Sequence, residues 1–135
     1  NGADPFVPAA IIAESLLLTS GITSIVKHSV ARPRPYVYEV DVPPGDRPDN
    51  GGLVSFWSGH TSTVSSTTFA CAALVQRSNA SGALKTVTWI GAAVLPAAAG
   101  FFRIKAGRHF PTDVLTGYAF GALIGTAVPY FHRTE

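Results

Sequence analysis

Stretches without charge clusters alternate along this chain with short segments rich in Pro, Gly and polar residues, and four of the stretches have the length of a helix. They cover about 6–28, 58–76, 83–102 and 112–131, with Glu14 as the only acid of the first and Pro8 in its first turn, where a proline is tolerated. No charged residue occurs in 87–102 or in 114–131. At ~1.5 Å per residue such runs approach the hydrocarbon thickness of a bilayer.

The fourth stretch carries Gly117, Gly121 and Gly125 at four-residue spacing, which puts three positions without side chains on one helix face and lets another helix approach closely. Pro96 and Pro129 are expected to kink or end their helices unless neighbours satisfy the carbonyls they free. Between the first two helices, 36–52 is dense in Pro, Gly and Asp and is predicted to be a long loop. Glu39, Asp41, Asp46 and Asp49 make it acidic, and a lid and a plain solvated connector are both open readings. A short turn around Asn79, within a glycosylation sequon, joins the second and third helices.

The expected architecture is all-α: an antiparallel bundle, up and down, with its site at one end. That topology brings together the end of helix one, the start of two, the end of three and the start of four. Lys27, Arg32, Arg34, Arg47, Arg103, Lys105 and Arg108 collect there with His60 and His109, leaving Arg77, Lys85 and Arg133 for the other end.

Composition narrows the picture. The 135 residues suffice for one domain, taken as 1–135. A net charge of +2, with no aromatic residues interleaved along a basic stripe, argues against nucleic acid as a partner. Cys71, the only cysteine, lies among small apolar residues and is expected to be a buried free thiol. His28 and His132 lack the partner spacing of a zinc site, so no metal is expected. There is no signal-peptide pattern at the start.

Clustered Lys and Arg beside two helix N-termini suit an oxyanion, phosphate being the natural guess. In "WSGH", Ser58 can cap a helix, Gly59 admits a ligand close to the backbone, and His60 projects from the first turn. In "GRHFPTD", Asp113 is either a favourable first-turn acid or the group that holds His109. Basic helix ends alone also mark loops and membrane interfaces; their convergence on one end favours the site.

Three blocks, Lys27 with Arg34-Pro35, Ser58-Gly59-His60, and Arg103 with His109 and Asp113, resemble in order and spacing the type 2 phosphatidic acid phosphatase superfamily, which also contains bacterial acid phosphatases and vanadium haloperoxidases. The second block usually begins with Pro, where this chain has Trp57, and the third with Ser, where it has Phe102; both changes are expected to alter the pocket wall. The resemblance implies that His109 attacks phosphorus to form a phosphohistidine, that Asp113 holds the proton of its other nitrogen, and that His60 protonates the leaving group and then activates water. It implies further that Lys27, Arg34 and Arg103, with the Ser58 hydroxyl and the Gly59 N–H, surround the phosphoryl oxygens, with Arg32 as an accessory contact. No metal or cofactor is implied.

The leading expectation is a metal-independent phosphatase in a membrane, acting on a lipid phosphomonoester or pyrophosphate, its site facing the periplasm or outer surface. Against it stand a soluble periplasmic or secreted acid phosphatase, suggested by modest mean hydropathy and the hydroxyl-rich second helix, a haloperoxidase with vanadate on His109, and a membrane domain that binds phosphate headgroups without turnover. The family bundle normally has more helices than these four, so residues before Asn1 or another chain are expected to complete the shell.

Overall fold

The computed structural model describes residues 6–38 and 50–132. Its architecture is the expected all-α bundle, with α1 Phe6–Val30, α2 Gly59–Arg77, α3 Gly82–Lys105 and α4 Pro111–Phe131. Short 3-10 turns, Pro35–Tyr38 and Asn50–Leu53, flank the central part of the long loop. Glu39, Asp41, Asp46 and Asp49, on which the lid reading rested, lie outside the described residues, as do Arg47 and Arg133 of the two basic ends.

α2 is the centre of the bundle and packs against each of the other three helices, most extensively against α4. The contact with α4 depends on the spaced glycines. A Cβ at Gly117 would come within 2.7 Å of the Ser58 carbonyl oxygen, and at Gly121 and Gly125 it would press still closer on the carbonyls of Ser62 and Ser66. The two backbones therefore touch along three turns.

The inward face of α2 is hydroxylic. Thr61, Ser62, Ser65 and Ser66 are all buried. Their partners are inside the protein: Ser62 shares a 3.2 Å hydrogen bond with Thr23, Ser66 donates to the Ser15 carbonyl at 3.0 Å, and Ser65 donates to the Tyr118 carbonyl at 2.9 Å. Pro96 leaves the carbonyl of Ala92 without its usual helical donor, and the Thr68 hydroxyl approaches that oxygen at 3.4 Å. Both α3 and α4 run on as continuous helices through their prolines, Pro96 and Pro129.

Apolar side chains instead cover much of the outside. Leu17, Ile25, Val87, Val94, Phe101 and Leu123 are all more than half exposed. α1 with the turn that follows it, α3 and α4 are long and apolar enough to cross a membrane. Cys71 is free but half-buried, less enclosed than its apolar neighbours in the sequence suggested.

Candidate active site

Where α1 ends, α2 begins, α3 ends and α4 begins, a cavity of about 410 Å³ opens. Lys27, Arg34, Arg103, Gly59, His60 and His109 line it, together with hydroxyl-bearing residues of α1 and α2. Of the basic residues assigned to this end, Lys105 and Arg108 do not line it. Lys105 lies over the Phe101 ring and Arg108 over that of Tyr36.

Local chemistry fixes each wall. α1 terminates at Ala31, whose positive φ of 47° turns the chain toward Arg32 and Pro33. The Arg34 N–H then donates to the Gly52 carbonyl at 2.8 Å, and Lys27 Nζ donates to the Val54 carbonyl at 2.8 Å, tying the loop before α2 to the end of α1. At the far wall, Gly107 takes a φ of +63° after α3, a left-handed turn that glycine adopts without penalty. It reverses the chain and brings His109 back beside Arg103.

His109 is 2% exposed, and its Nδ1 stands 2.8 Å from the Ser55 carbonyl oxygen. Burial, then the positive charges of Lys27 and Arg34, lower its pKa from 6.5 to about 4, against the opposing effects of the Ser55 bond and Asp113. The ring is therefore neutral near pH 7. A carbonyl can only accept, so the single ring proton sits on Nδ1 and Nε2 carries a free lone pair. His60 also has its pKa lowered, by burial first and then by Arg103, Lys27 and Arg34.

Two cations have donors with nothing among the described residues to take them. Arg34 Nε and Arg103 Nε are buried and without a hydrogen-bond partner. An anion in the cavity would meet these guanidinium groups, a lysine and the N-terminus of α2. Among the described residues no three His, Cys, Asp or Glu side chains converge as a metal site requires.

The family model of the PAP2 superfamily matches residues 8–135. The chain belongs to this superfamily. Membership supports phosphatase-type activity, that of a phosphoric ester hydrolase at the coarse level. No curated protein and no solved structure matches it.

Within this PAP2 fold, four sequence expectations change. Asp113 does not hydrogen-bond His109: Oδ2 is 3.8 Å from Nδ1, and the Ser55 carbonyl takes that place. Asp113 is indeed a first-turn acid, accepting the Phe110 N–H at 2.9 Å, and it also accepts from Arg32 Nη1 at 2.7 Å and from the Ser55 hydroxyl at 2.6 Å.

The Ser58 hydroxyl, expected among the phosphate ligands, faces inward. Ser58 is fully buried, caps α2 by accepting from the Thr61 N–H and hydroxyl, and does not line the cavity. Nor do Trp57 and Phe102 form its wall. Trp57 is buried, donates to the Thr23 hydroxyl at 2.8 Å and stacks on Phe120, whereas Phe102 is 67% exposed. Arg32 contacts Asp113 and Thr112 and is not a cavity ligand.

Ser55 was not singled out by the sequence. It belongs to no helical period and stands outside the three motif blocks; its place two residues before Trp57 in the segment leading to a helix cap was the only available signal.

Proposed function

We propose that this protein hydrolyses a phosphomonoester or pyrophosphate of a lipid, without a metal, through a phosphohistidine on His109. The observation that carries the reading is the cavity in which the neutral His109 ring meets two guanidinium groups with buried, unused Nε–H donors.

The lone pair of His109 Nε2 attacks phosphorus while the bond to the leaving oxygen breaks, and His60 delivers a proton to that oxygen. Water then attacks the phosphohistidine; His60 takes its proton, the P–N bond breaks, and phosphate leaves with His109 restored. Lys27, Arg34, Arg103 and the Gly59 N–H offset the charge on the phosphoryl oxygens throughout. The same cations lower the His60 pKa, so a bound phosphate dianion, which offsets them, returns His60 toward the protonated form needed for its first role.

Three helices of spanning length and a largely apolar exterior support a membrane setting and a lipid leaving group. The test is phosphate release from a lipid phosphate and from a soluble aryl phosphate, in detergent with chelator present. Release from both that vanishes in His109→Ala, with the lipid preferred, is expected. Metal-dependent release, or release unaffected by His109→Ala, would sink the mechanism; a preference for the aryl ester would sink the lipid assignment, and binding without release would favour a headgroup-binding domain.

A further inference from the structure

Beside His109, three segments distant in sequence close into a ring of hydrogen bonds. The Ser55 N–H donates to the Arg32 carbonyl at 2.9 Å, Arg32 Nη1 donates to Asp113 Oδ1 at 2.7 Å, and the Ser55 hydroxyl donates to Asp113 Oδ2 at 2.6 Å. His109 attaches to this ring at one point, the Ser55 carbonyl. Ser55 and Asp113 have no exposed surface, and the Arg32 guanidinium lies 4.3 Å from the centroid of the Phe110 ring.

We propose that Ser55 is a positioning residue through which the Arg32–Asp113 pair acts on His109. Its hydroxyl is fixed by the carboxylate and its N–H by Arg32, so its carbonyl is held in one place. That carbonyl sets both the tautomer and the tilt of the imidazole, and hence the direction of the Nε2 lone pair. When the ring gains positive charge as the P–N bond forms, the Nδ1–H to carbonyl bond becomes charge-assisted and strengthens. Asp113 adds an attraction across 3.8 Å without touching the ring.

The kinetic part of this proposal rests on the phosphohistidine reading; the structural part does not. The test uses the full chain in detergent with ¹⁵N-labelled histidine, following the Nδ1–H resonance of His109, assigned by its absence in His109→Ala. Ser55→Ala keeps the carbonyl and removes the hydroxyl. It is expected to move the resonance upfield, speed its exchange with water and lower kcat on an aryl phosphate by about tenfold, with KM changed less than about twofold.

Arg32→Gln is expected to reproduce these effects, and Arg32→Lys to recover most of the loss. The Ser55→Ala/Asp113→Asn double variant is expected to lose no more than the worse single variant, because both break one unit. An unmoved resonance in both Ser55→Ala and Arg32→Gln, or losses that multiply in the double variant, would overturn the proposal. Should Ser55→Ala not fold, Arg32→Gln decides, since that side chain is 34% exposed and its replacement leaves the buried serine in place. If the unmodified protein released no phosphate, the phosphatase reading would fall while the resonance still decided the role of Ser55.

Discussion

Two polar regions lie inside this bundle, and they differ in where their hydrogen bonds end. Along the seam between α2 and its neighbours, Ser62, Ser65 and Ser66 find partners on α1 and α4, and the buried Thr19 hydroxyl is the exception without one among the described residues. In the cavity above it, Arg34 Nε and Arg103 Nε are as enclosed and, though charged, find none among the described residues. A buried polar group that is satisfied adds to the packing, whereas one left unpaired costs free energy of order 1–3 kcal/mol until something occupies it. The seam is thus polar for the sake of the fold and the cavity for the sake of a ligand. Substitutions in the first should alter stability, and substitutions in the second should alter activity.

The hardest test of the seam is Gly121→Leu. Its side chain would have to occupy space held by the Ser62 carbonyl and the Ser65 side chain, neither of which is a flexible chain end. Overpacking of this kind costs about 3 kcal/mol or more out of a total stability of roughly 5–15 kcal/mol. Loss of cooperative melting and of all phosphate release is expected. A variant that melted and turned over like the unmodified protein would show that α2 and α4 are not in backbone contact.

Next in size is Arg103→Lys, which keeps the charge in the cavity and gives up the planar fork of donors. Turnover is expected to fall by about 10²-fold, the scale of losing a donor to the transition state, while the melting temperature stays the same or rises because a buried unpaired Nε–H is removed. A variant that melted lower with activity intact would reverse the assignment of the cavity to ligand and the seam to fold.

That division was only half legible in the sequence. The glycine spacing in α4 announced a close helix contact, and the order of Lys27, Arg34, His60, Arg103 and His109 announced the cage, because helix topology alone brings those ends together. The hydroxyls of α2 read as room for a soluble protein, yet Thr61, Ser62, Ser65 and Ser66 face inward. Composition records that a hydroxyl exists and not which helix it meets. Asp113 posed the same difficulty: its partners Arg32 and Ser55 stand 81 and 58 residues away, beyond any local spacing rule. Ser58 satisfied two patterns at once, helix cap and phosphate ligand, and the cap claimed its oxygen.

The smallest effect separates charge from geometry inside the cavity. Arg103 is the first among the charges that lower the His60 pKa, behind burial itself. Replacing it with Gln removes a cation that repels the protonated imidazolium, so the His60 pKa should rise toward 6.5, whereas Arg103→Lys should leave it nearly unmoved. NMR titration of the His60 ring in the absence of phosphate reads this directly. In the proposed mechanism His60 is the acid, so Gln should also carry the alkaline limb of kcat/KM to higher pH even as the overall rate falls. An identical titration in the Gln, Lys and unmodified proteins would mean that Arg103 and His60 do not share the cavity, and the convergence on which the site rests would be lost.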